Sequence, residues 1–333
     1  MAKKRLFNRN HTQDSRELGF GTTDARQQRL INRDGTYNYI RIGAPFYETF
    51  NVYHFLVSIS WIKLILLIIA WYTLFNFIFV GLYYLIGIEQ ITGMMYSDAR
   101  SKFWEVYFFS AQTLTTVGYG RINPMGFEAS AISSLEALTG LMSFALITGL
   151  LFSRFAKAPA KLMFSKQAVI APFTWKKQEI TAFMFRSVNQ YNTNLLNMKA
   201  NVNLIIVEED DDGNENRRFY GLPLERDTIS FFPSSWTIVH PIDENSPLYG
   251  FNKTDFEKTK IEFMIMLSGF DETFDQNVFM RYSYNEKDIE WGAKYIKLIN
   301  YNEQNAVTVD LSKLSTVEKM PIDHLLPKFE EKV

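Results

Sequence analysis

Two long apolar stretches in the first half of the chain predict membrane-spanning helices. Residues 61–87 are almost entirely aliphatic and aromatic, over more than the roughly 20 positions that cross a bilayer. Residues 126–155 are less apolar, with small residues, several hydroxyls and one acid, Glu136. Small residues suit helices that pack closely or line water, and an acid at this depth should not face lipid. We therefore predict an outer helix over 61–87 and an inner helix over 126–155.

An amphipathic stretch precedes the first span. Its apolar residues share one face of a helix and its polar residues another, which is typical of a helix that lies in the membrane interface. The apolar face carries Phe46, Phe50, Tyr53 and Val57, and the polar face carries Glu48, Asn51, His54 and Ser58. We predict an interfacial helix over 45–60, following a polar N-terminal segment over 1–44.

The segment between the spans contains an apolar run that is too short to cross a membrane and leads into Thr-Val-Gly-Tyr-Gly. Two glycines around a tyrosine are poor material for a helix or strand interior. Irregular backbone at membrane depth is tolerated where it is buried in protein or lines water. Glycines let successive carbonyls face one line, where they can replace the hydration shell of K+. We predict a re-entrant pore helix and selectivity filter over 103–120. The predicted K+ ligands are Thr116, Val117, Gly118, Tyr119 and Gly120.

One chain carries only one such segment, whereas a carbonyl cage around an ion needs about four. The sequence therefore predicts a homotetramer with cyclic symmetry. The negative end of the short pore helix would favour cations in the ion path. K+ is the expected permeant ion, and no cofactor is expected.

The second half of the chain reads as strands. "LNMKANVNL" alternates apolar and polar residues, "IEFMIML", "VFMRYSY" and "AVTVDL" are further strand candidates, and turn signals separate them. The acidic run "EEDDDGNEN" suits a solvated hairpin tip. Many short strands with turns predict an antiparallel β-sandwich, placed over 158–333 after a transmembrane pore domain over 61–157.

Charge and composition narrow the function further. A net charge of -1 argues against a nucleic-acid partner, and there is no cysteine for thiol chemistry. The soluble half shows no nucleophile–base set, metal cluster or phosphate loop, so we do not expect an enzyme. Lysines and arginines are concentrated before the first span and after the second. The positive-inside rule then puts both termini of this multi-pass protein in the cytoplasm, at the cell (inner) membrane.

Several separate motifs, in order, resemble the inward-rectifier potassium channel family and its prokaryotic KirBac-type branch. They are "NRDGTYN", "YHFLVSISW", "TLTTVGYG", "LEALTGLMSFALITGLLFSRFAKAPAKLMFSKQAVI", "HPIDENSPLYG" and "SGFDETFDQNVFMRYSYNEKDIEWGAKY". The resemblance implies a two-transmembrane-helix pore domain with a re-entrant pore helix and filter. It also implies a cytoplasmic immunoglobulin-like β-sandwich that regulates the pore, and a potassium-selective channel gated where the inner helices cross.

The resemblance also implies roles for residues of the inner helix and its flank. Phe152 stands where the family has an apolar gate, and packing between helices is the alternative. Gly140 and Gly149 are either hinges or close-packing positions. A basic patch suits anionic lipid or phosphoinositide, which would either activate or inhibit, and ordinary positive-inside flanking is the alternative. The patch consists of Arg154, Lys157 and Lys161.

Four positions depart from the family pattern. Gln112 stands where an acid usually precedes the filter, so support must come from elsewhere, with Glu136 the candidate. Arg121 follows the filter directly, and it either repels cations or pairs with an acid such as Glu105 or Asp98. Asn51 replaces a common aspartate. Phe144 occupies the place of the acid that gives strong rectification, so strong rectification is not expected unless Glu136, as a pore acid, faces water.

Two other functions compete with a channel. A non-conducting or weakly conducting sensor could keep a channel-like pore, although the intact filter sequence argues against it. A potassium transporter would need several pore repeats, and the chain has one.

Overall fold

The computed structural model describes residues 29–39, 42–43, 45, 50–156, 162–191, 193–209, 215–232, 234–301 and 307–320. The chain divides into two compact units. The helical unit comprises Ile42–Lys157, and the strand unit comprises Met1–Arg41 together with Ala158–Val333.

Four α-helices build the described part of the helical unit. They are α1 (Val52–Ser58), α2 (Trp61–Ile86), α3 (Ala99–Leu114) and α4 (Phe127–Phe155). Both α2 and α4 are long and apolar enough to cross a membrane. A 3₁₀ turn over Ile88–Gln90 and an antiparallel pair of two-residue strands, β1 (Ile91–Thr92) and β2 (Asn123–Pro124), lie between the long helices.

The starts of α1 and α3 are set by side-chain caps. The Asn51 side chain accepts a hydrogen bond of 2.9 Å from the His54 amide, so asparagine caps α1 as an aspartate would. The Asp98 carboxylate accepts one of 2.9 Å from the Ser101 amide at the start of α3. The sequence prediction of a pore helix from residue 103 is therefore wrong by four positions, because it followed the apolar run and overlooked the cap.

The helical unit has a small core where α2, α3 and β1 meet. Phe79, Val80 and Tyr83 of α2 pack against Val106 and Phe109 of α3. Many apolar side chains elsewhere on the long helices point outward, and Leu85 is 83% exposed and Leu146 73% exposed in the single chain. Such surfaces are expected of a membrane protein, where lipid or another subunit covers them.

Strands make up most of the other unit. In chain order they are β3 (Leu162–Phe164), β4 (Ala168–Trp175), β5 (Gln178–Asn189), β6 (Leu195–Glu209), β7 (Glu215–Gly221), β8 (Thr228–Phe231), β9 (Ser235–Ile242), β10 (Ile261–Asp271), β11 (Gln276–Asn285), β12 (Ile289–Trp291), β13 (Ala293–Tyr295), β14 (Ile299–Tyr301), β15 (Val307–Val309) and β16 (Val317–Lys319). One short helix, α5 (Lys253–Lys258), precedes β10.

Two five-stranded sheets form the predicted sandwich. One has the order β11-β10-β6-β7, with β8 also on β6, and the other has the order β12-β4-β5-β3, with β9 also on β5. Side chains from both sheets, including Phe183, Phe185, Leu204 and Phe263, share one core. The pairing is antiparallel except between β12 and β4, which run parallel.

The alternation predicted for β6 holds except at its start. Met198, Ala200, Val202 and Leu204 are buried. Asn197 has a positive φ of 48°, and the register to β10 shifts at this point. The resulting bulge interrupts the two-residue period, so the predicted inward position at residue 196 is only partly buried.

A hairpin over residues 29–39 packs on the first sheet of the strand unit. The amides of Leu30 and Ile31 donate hydrogen bonds of 2.7 and 3.2 Å to the buried carboxylate of Glu262. Burial raises the pKa of Glu262. Arg29 and Arg33 both form ion pairs with Asp288. The hydrogen bond from Arg33 to Asp288 raises the pKa of Arg33. The hairpin is thus held by two acids of the sandwich.

Candidate ion pore

The backbone from Thr116 to Gly120 leaves the helix and adopts neither helix nor strand. Its φ angle is positive at Thr116 (58°), Gly118 (52°) and Gly120 (86°) but not at Val117 or Tyr119. Carbonyls alternate sides along an ordinary extended strand, and alternating the sign of φ turns them toward the same side. Thr116 is β-branched and rarely takes this conformation, so its surroundings must impose it. The geometry suits a column of oxygens, and K+ coordination by these residues stays a prediction.

Both ends of the predicted filter are attached to neighbouring backbone. The amides of Val117 and Gly118 donate hydrogen bonds of 2.8 and 3.3 Å to the carbonyl of Gln112 in the last turn of α3. At the other end the Asn123 side-chain amide donates one of 2.9 Å to the carbonyl of Gly120. The side chains of Val117 and Tyr119 are 53% and 80% exposed in the single chain. One chain therefore leaves part of the predicted filter uncovered.

Glu136 lies where the three helices α2, α3 and α4 meet. Its carboxylate accepts hydrogen bonds of 2.7 Å from the Tyr83 hydroxyl and 2.5 Å from the Ser110 hydroxyl, which come from α2 and α3. The Ser110 hydroxyl also lies 3.2 Å from Oδ1 of Asn76. This network links the pore helix α3 to both long helices, α2 and α4.

The network corrects one expectation about Glu136 and adds residues that the sequence analysis missed. Glu136 has no exposed surface even in the single chain, so it is not a pore acid that faces water and does not substitute for a rectification site. Its position supports the other expectation, that it takes over the bracing role of the acid absent at Gln112. Asn76 and Tyr83 could have been noticed as polar groups within an apolar span, which need partners.

The two glycines of the inner helix differ in their surroundings, although α4 runs unbroken through both. A Cβ on Gly140 would lie 1.7 Å from the carbonyl oxygen of Leu114, where α4 crosses the end of α3. A Cβ on Gly149 would meet no atom within 4 Å. Close packing therefore explains Gly140, and a hinge at Gly149 stays a prediction.

Alanine at these positions should separate the two roles. Gly140→Ala is expected to lower stability by about 1–3 kcal/mol, because the methyl group must push the end of α3 away. Gly149→Ala is expected to be neutral or to add about 0.5–1 kcal/mol, since alanine favours a helix interior. The measurement is thermal unfolding of each purified variant in detergent. Equal unfolding temperatures for the two variants would contradict the packing role of Gly140.

Phe152 and Arg154 lie in the last turn of α4. Phe152 is 72% exposed in the single chain, so it does not pack within its own subunit, and its role as a gate stays a prediction. The Arg154 guanidinium donates hydrogen bonds of 2.9 and 2.6 Å to the carbonyls of Leu56 and Ile59 and lies 4.5 Å from the Trp61 ring centre. Arg154 thus caps the free carbonyls at the end of α1.

This contact changes how the predicted lipid patch is understood. Two donor groups of Arg154 are already directed at the backbone of its own subunit. Lys157 and Lys161, the other members of the patch, lie outside the described residues. A lipid headgroup at Arg154 would have to share the guanidinium with α1 or displace it.

Arg121, directly after the filter, forms one of the two ion pairs that the sequence analysis considered. Its guanidinium lies 2.8 Å from the Glu105 carboxylate and donates a hydrogen bond of 3.0 Å to the carbonyl of Gly93. Asp98 is instead engaged as the cap of α3. The alternatives left open for Arg121 are therefore resolved in favour of Glu105.

Comparison with known protein families gives matches over both units. The family model described as "Inward rectifier potassium channel C-terminal domain" matches residues 162–332, and the model described as "Ion channel" matches residues 63–157. The first of these ranges covers about half of the chain and nearly all of the part of the strand unit that follows the helical unit.

Individual relatives agree with the family models. The "Inward rectifier potassium channel Kirbac3.1" of Paramagnetospirillum magnetotacticum is 33% identical over 88% of this chain and 97% of its own length. The "Inward rectifier potassium channel irk-1" of Caenorhabditis elegans is 23% identical over 85% of this chain and 55% of its own length. The human "ATP-sensitive inward rectifier potassium channel 8" is 28% identical over 67% of this chain, which spans 54% of that relative.

The expected fold class is confirmed, with two membrane-spanning helices and an ion-channel pore domain followed by an all-β domain. Potassium channels of this family are tetrameric in general, and the family consists of ion channels, not enzymes. The chain belongs to the inward-rectifier potassium channel family and is of the prokaryotic KirBac type.

Proposed function

We propose that this chain forms a homotetrameric, potassium-selective channel of the inward-rectifier type. The observation that carries the proposal is the alternating sign of φ along Thr116–Gly120, at the end of a helix that buried Glu136 braces. Four copies of such a segment around one axis would complete a carbonyl cage for K+. K+ is the permeant ion, and the channel needs no cofactor.

The exposed surface of the helical unit supports assembly from several copies. Val117 and Tyr119 of the predicted filter are exposed in one chain, and their irregular backbone at membrane depth has to be buried in protein or line water. Membership of a generally tetrameric family points to three further copies. The charge distribution supports an inner-membrane protein with both termini in the cytoplasm.

The gate of this channel is the ring of four Phe152 side chains near the cytoplasmic ends of the inner helices. Apolar side chains around an axis can close a pore by excluding water. The hinge at Gly149 and the sandwich domain bias this gate. Rectification is weak, because Phe144 is a large apolar residue with 71% of its surface exposed and Glu136 is buried.

Anionic lipid modulates the channel through the basic flank of the inner helix. Each basic residue near an anionic surface contributes about 1 kcal/mol of attraction. Arg154 is the member of this flank that the structure describes, and through its contact with α1 a bound lipid would act on that helix. Phosphoinositide either strengthens or weakens that contact, and the two cases predict opposite effects on flux.

Rubidium uptake into liposomes that contain the purified tetramer tests the proposal. Uptake should be blocked by barium and should not be reduced by competing sodium, because a carbonyl cage fitted to K+ accepts Rb+ but disfavours Na+. A series of vesicles with increasing phosphoinositide gives the sign of lipid regulation. A tetramer without uptake in any lipid would contradict the channel and favour a non-conducting sensor.

A further inference from the structure

The residue that follows the filter is held by a buried acid of the pore helix. The side chain of Glu105 is 6% exposed, whereas that of Arg121 is 51% exposed, and 2.8 Å separates the two charged groups. Arg121 leaves the filter at Gly120 and directs its guanidinium toward α3 of its own subunit. An unpaired positive charge at this place would repel the cations that a potassium channel admits.

The surrounding loop fixes this ion pair in place. The Glu105 carboxylate also accepts hydrogen bonds of 3.0 Å from the Met95 amide and 3.3 Å from the Tyr96 amide. Gly93 accepts from Arg121, has a φ of 86°, and leaves room for the Arg121 backbone, since a Cβ here would lie 1.9 Å from the Arg121 carbonyl oxygen. Acid and base are thus both anchored between the pore helix and the loop before it.

The pair contributes one acid and one base to a segment between the spans that carries no net charge. Over residues 87–126 the acids are equal in number to the bases. The acids are Glu89, Asp98 and Glu105, and the bases are Arg100, Lys102 and Arg121. Loss of the Glu105 charge would give each subunit one uncompensated positive charge beside the filter, and a tetramer would carry four. Cations approaching such a ring would be repelled, most strongly at low ionic strength.

We propose that Glu105 is a positioning residue for ion access. It draws the Arg121 guanidinium against the pore helix and cancels its charge, so that K+ reaches the filter past a ring of arginines. The inference rests on the proposed channel function.

The test is the unitary K+ conductance of reconstituted wild type, E105Q, R121Q and the double variant E105Q/R121Q. It is measured near 0.01 M and near 1 M K+, where the screening length is about 30 Å and about 3 Å respectively. E105Q should conduct severalfold less than wild type at low salt and close to wild type at high salt. The double variant should recover most of the low-salt loss, because it also removes the arginine charge. R121Q should conduct at least as well as wild type at low salt.

A purely structural role for Glu105 gives different results. In that case the double variant would conduct no better than E105Q, and the deficit would be the same at both salt concentrations; either result overturns the inference. R121Q keeps Glu105 and its amide contacts, so it provides the test if E105Q does not assemble. A conductance of R121Q below that of wild type at low salt would overturn the inference. If E105Q conducts as wild type does at low salt, the inference is overturned and the channel proposal stands. A wild-type tetramer without current overturns the channel proposal and the inference together.

Discussion

Replacing Gly118 with alanine is expected to abolish potassium-selective flux. The φ angle of Gly118 is 52°, in the left-handed region where an L-residue costs about 1–2 kcal/mol. Four subunits around one pore would multiply this cost to about 4–8 kcal/mol. A Cβ at Gly118 would meet no atom within 4 Å in the single chain, so the effect is conformational. Relaxation of the backbone would turn a carbonyl out of the column, and the cage would lose an oxygen from every subunit.

Gly81→Ala provides a matched control for Gly118→Ala. Gly81 lies in α2, has no positive φ and would likewise meet no atom within 4 Å of an added Cβ. This variant should assemble and take up rubidium as wild type does. The measurement is barium-sensitive rubidium uptake by equal amounts of purified tetramer. Selective uptake by Gly118→Ala at the wild-type rate would show that these carbonyls do not form the filter.

Local chemistry explains what could be predicted from the sequence. The two spans follow from continuous apolar composition, and the strand at Met198–Leu204 follows from its two-residue period. The irregular backbone at Thr116–Gly120 follows from its glycines and from its place after a short apolar helix. Each of these features depends on a few consecutive residues, so it can be predicted from the sequence without a structure.

Features formed by contacts between distant segments were harder to predict from the sequence. Glu136 was identified as an acid at membrane depth, but its partners Tyr83 and Ser110 come from two other helices and become neighbours only in the fold. The choice of Arg121 between two acids could have been made from the sequence. Asp98 stands before a helix and is suited to cap it, which leaves Glu105 available for the arginine. The bulge at Asn197 could not be predicted from strand periodicity, because apolar and polar residues continue to alternate in the sequence at this position.

Removing the Glu136 carboxylate should destabilise the tetramer and the filter together. In Glu136→Ala the hydroxyls of Tyr83 and Ser110 lose their acceptor at a site that water does not reach. Leaving a buried hydroxyl donor without its acceptor costs about 1–3 kcal/mol, and this variant leaves two of them. The pore helix would then be free to shift against α2 and α4, and with it the Gln112 carbonyl that holds the amides of Val117 and Gly118. We expect a lower unfolding temperature and a loss of selectivity against sodium.

Two further variants separate the network from charge alone. Glu136→Gln keeps the size of the side chain and one acceptor oxygen, so it should lie between wild type and alanine in stability. Glu128→Gln removes an exposed acid from the first turn of the same helix and should resemble wild type. Thermal unfolding of the detergent-solubilised tetramer and the ratio of rubidium to sodium uptake are measured on all variants. If Glu136→Ala kept both the wild-type unfolding temperature and the wild-type selectivity, Glu136 would not brace the filter, and the support missing at Gln112 would have to come from another subunit.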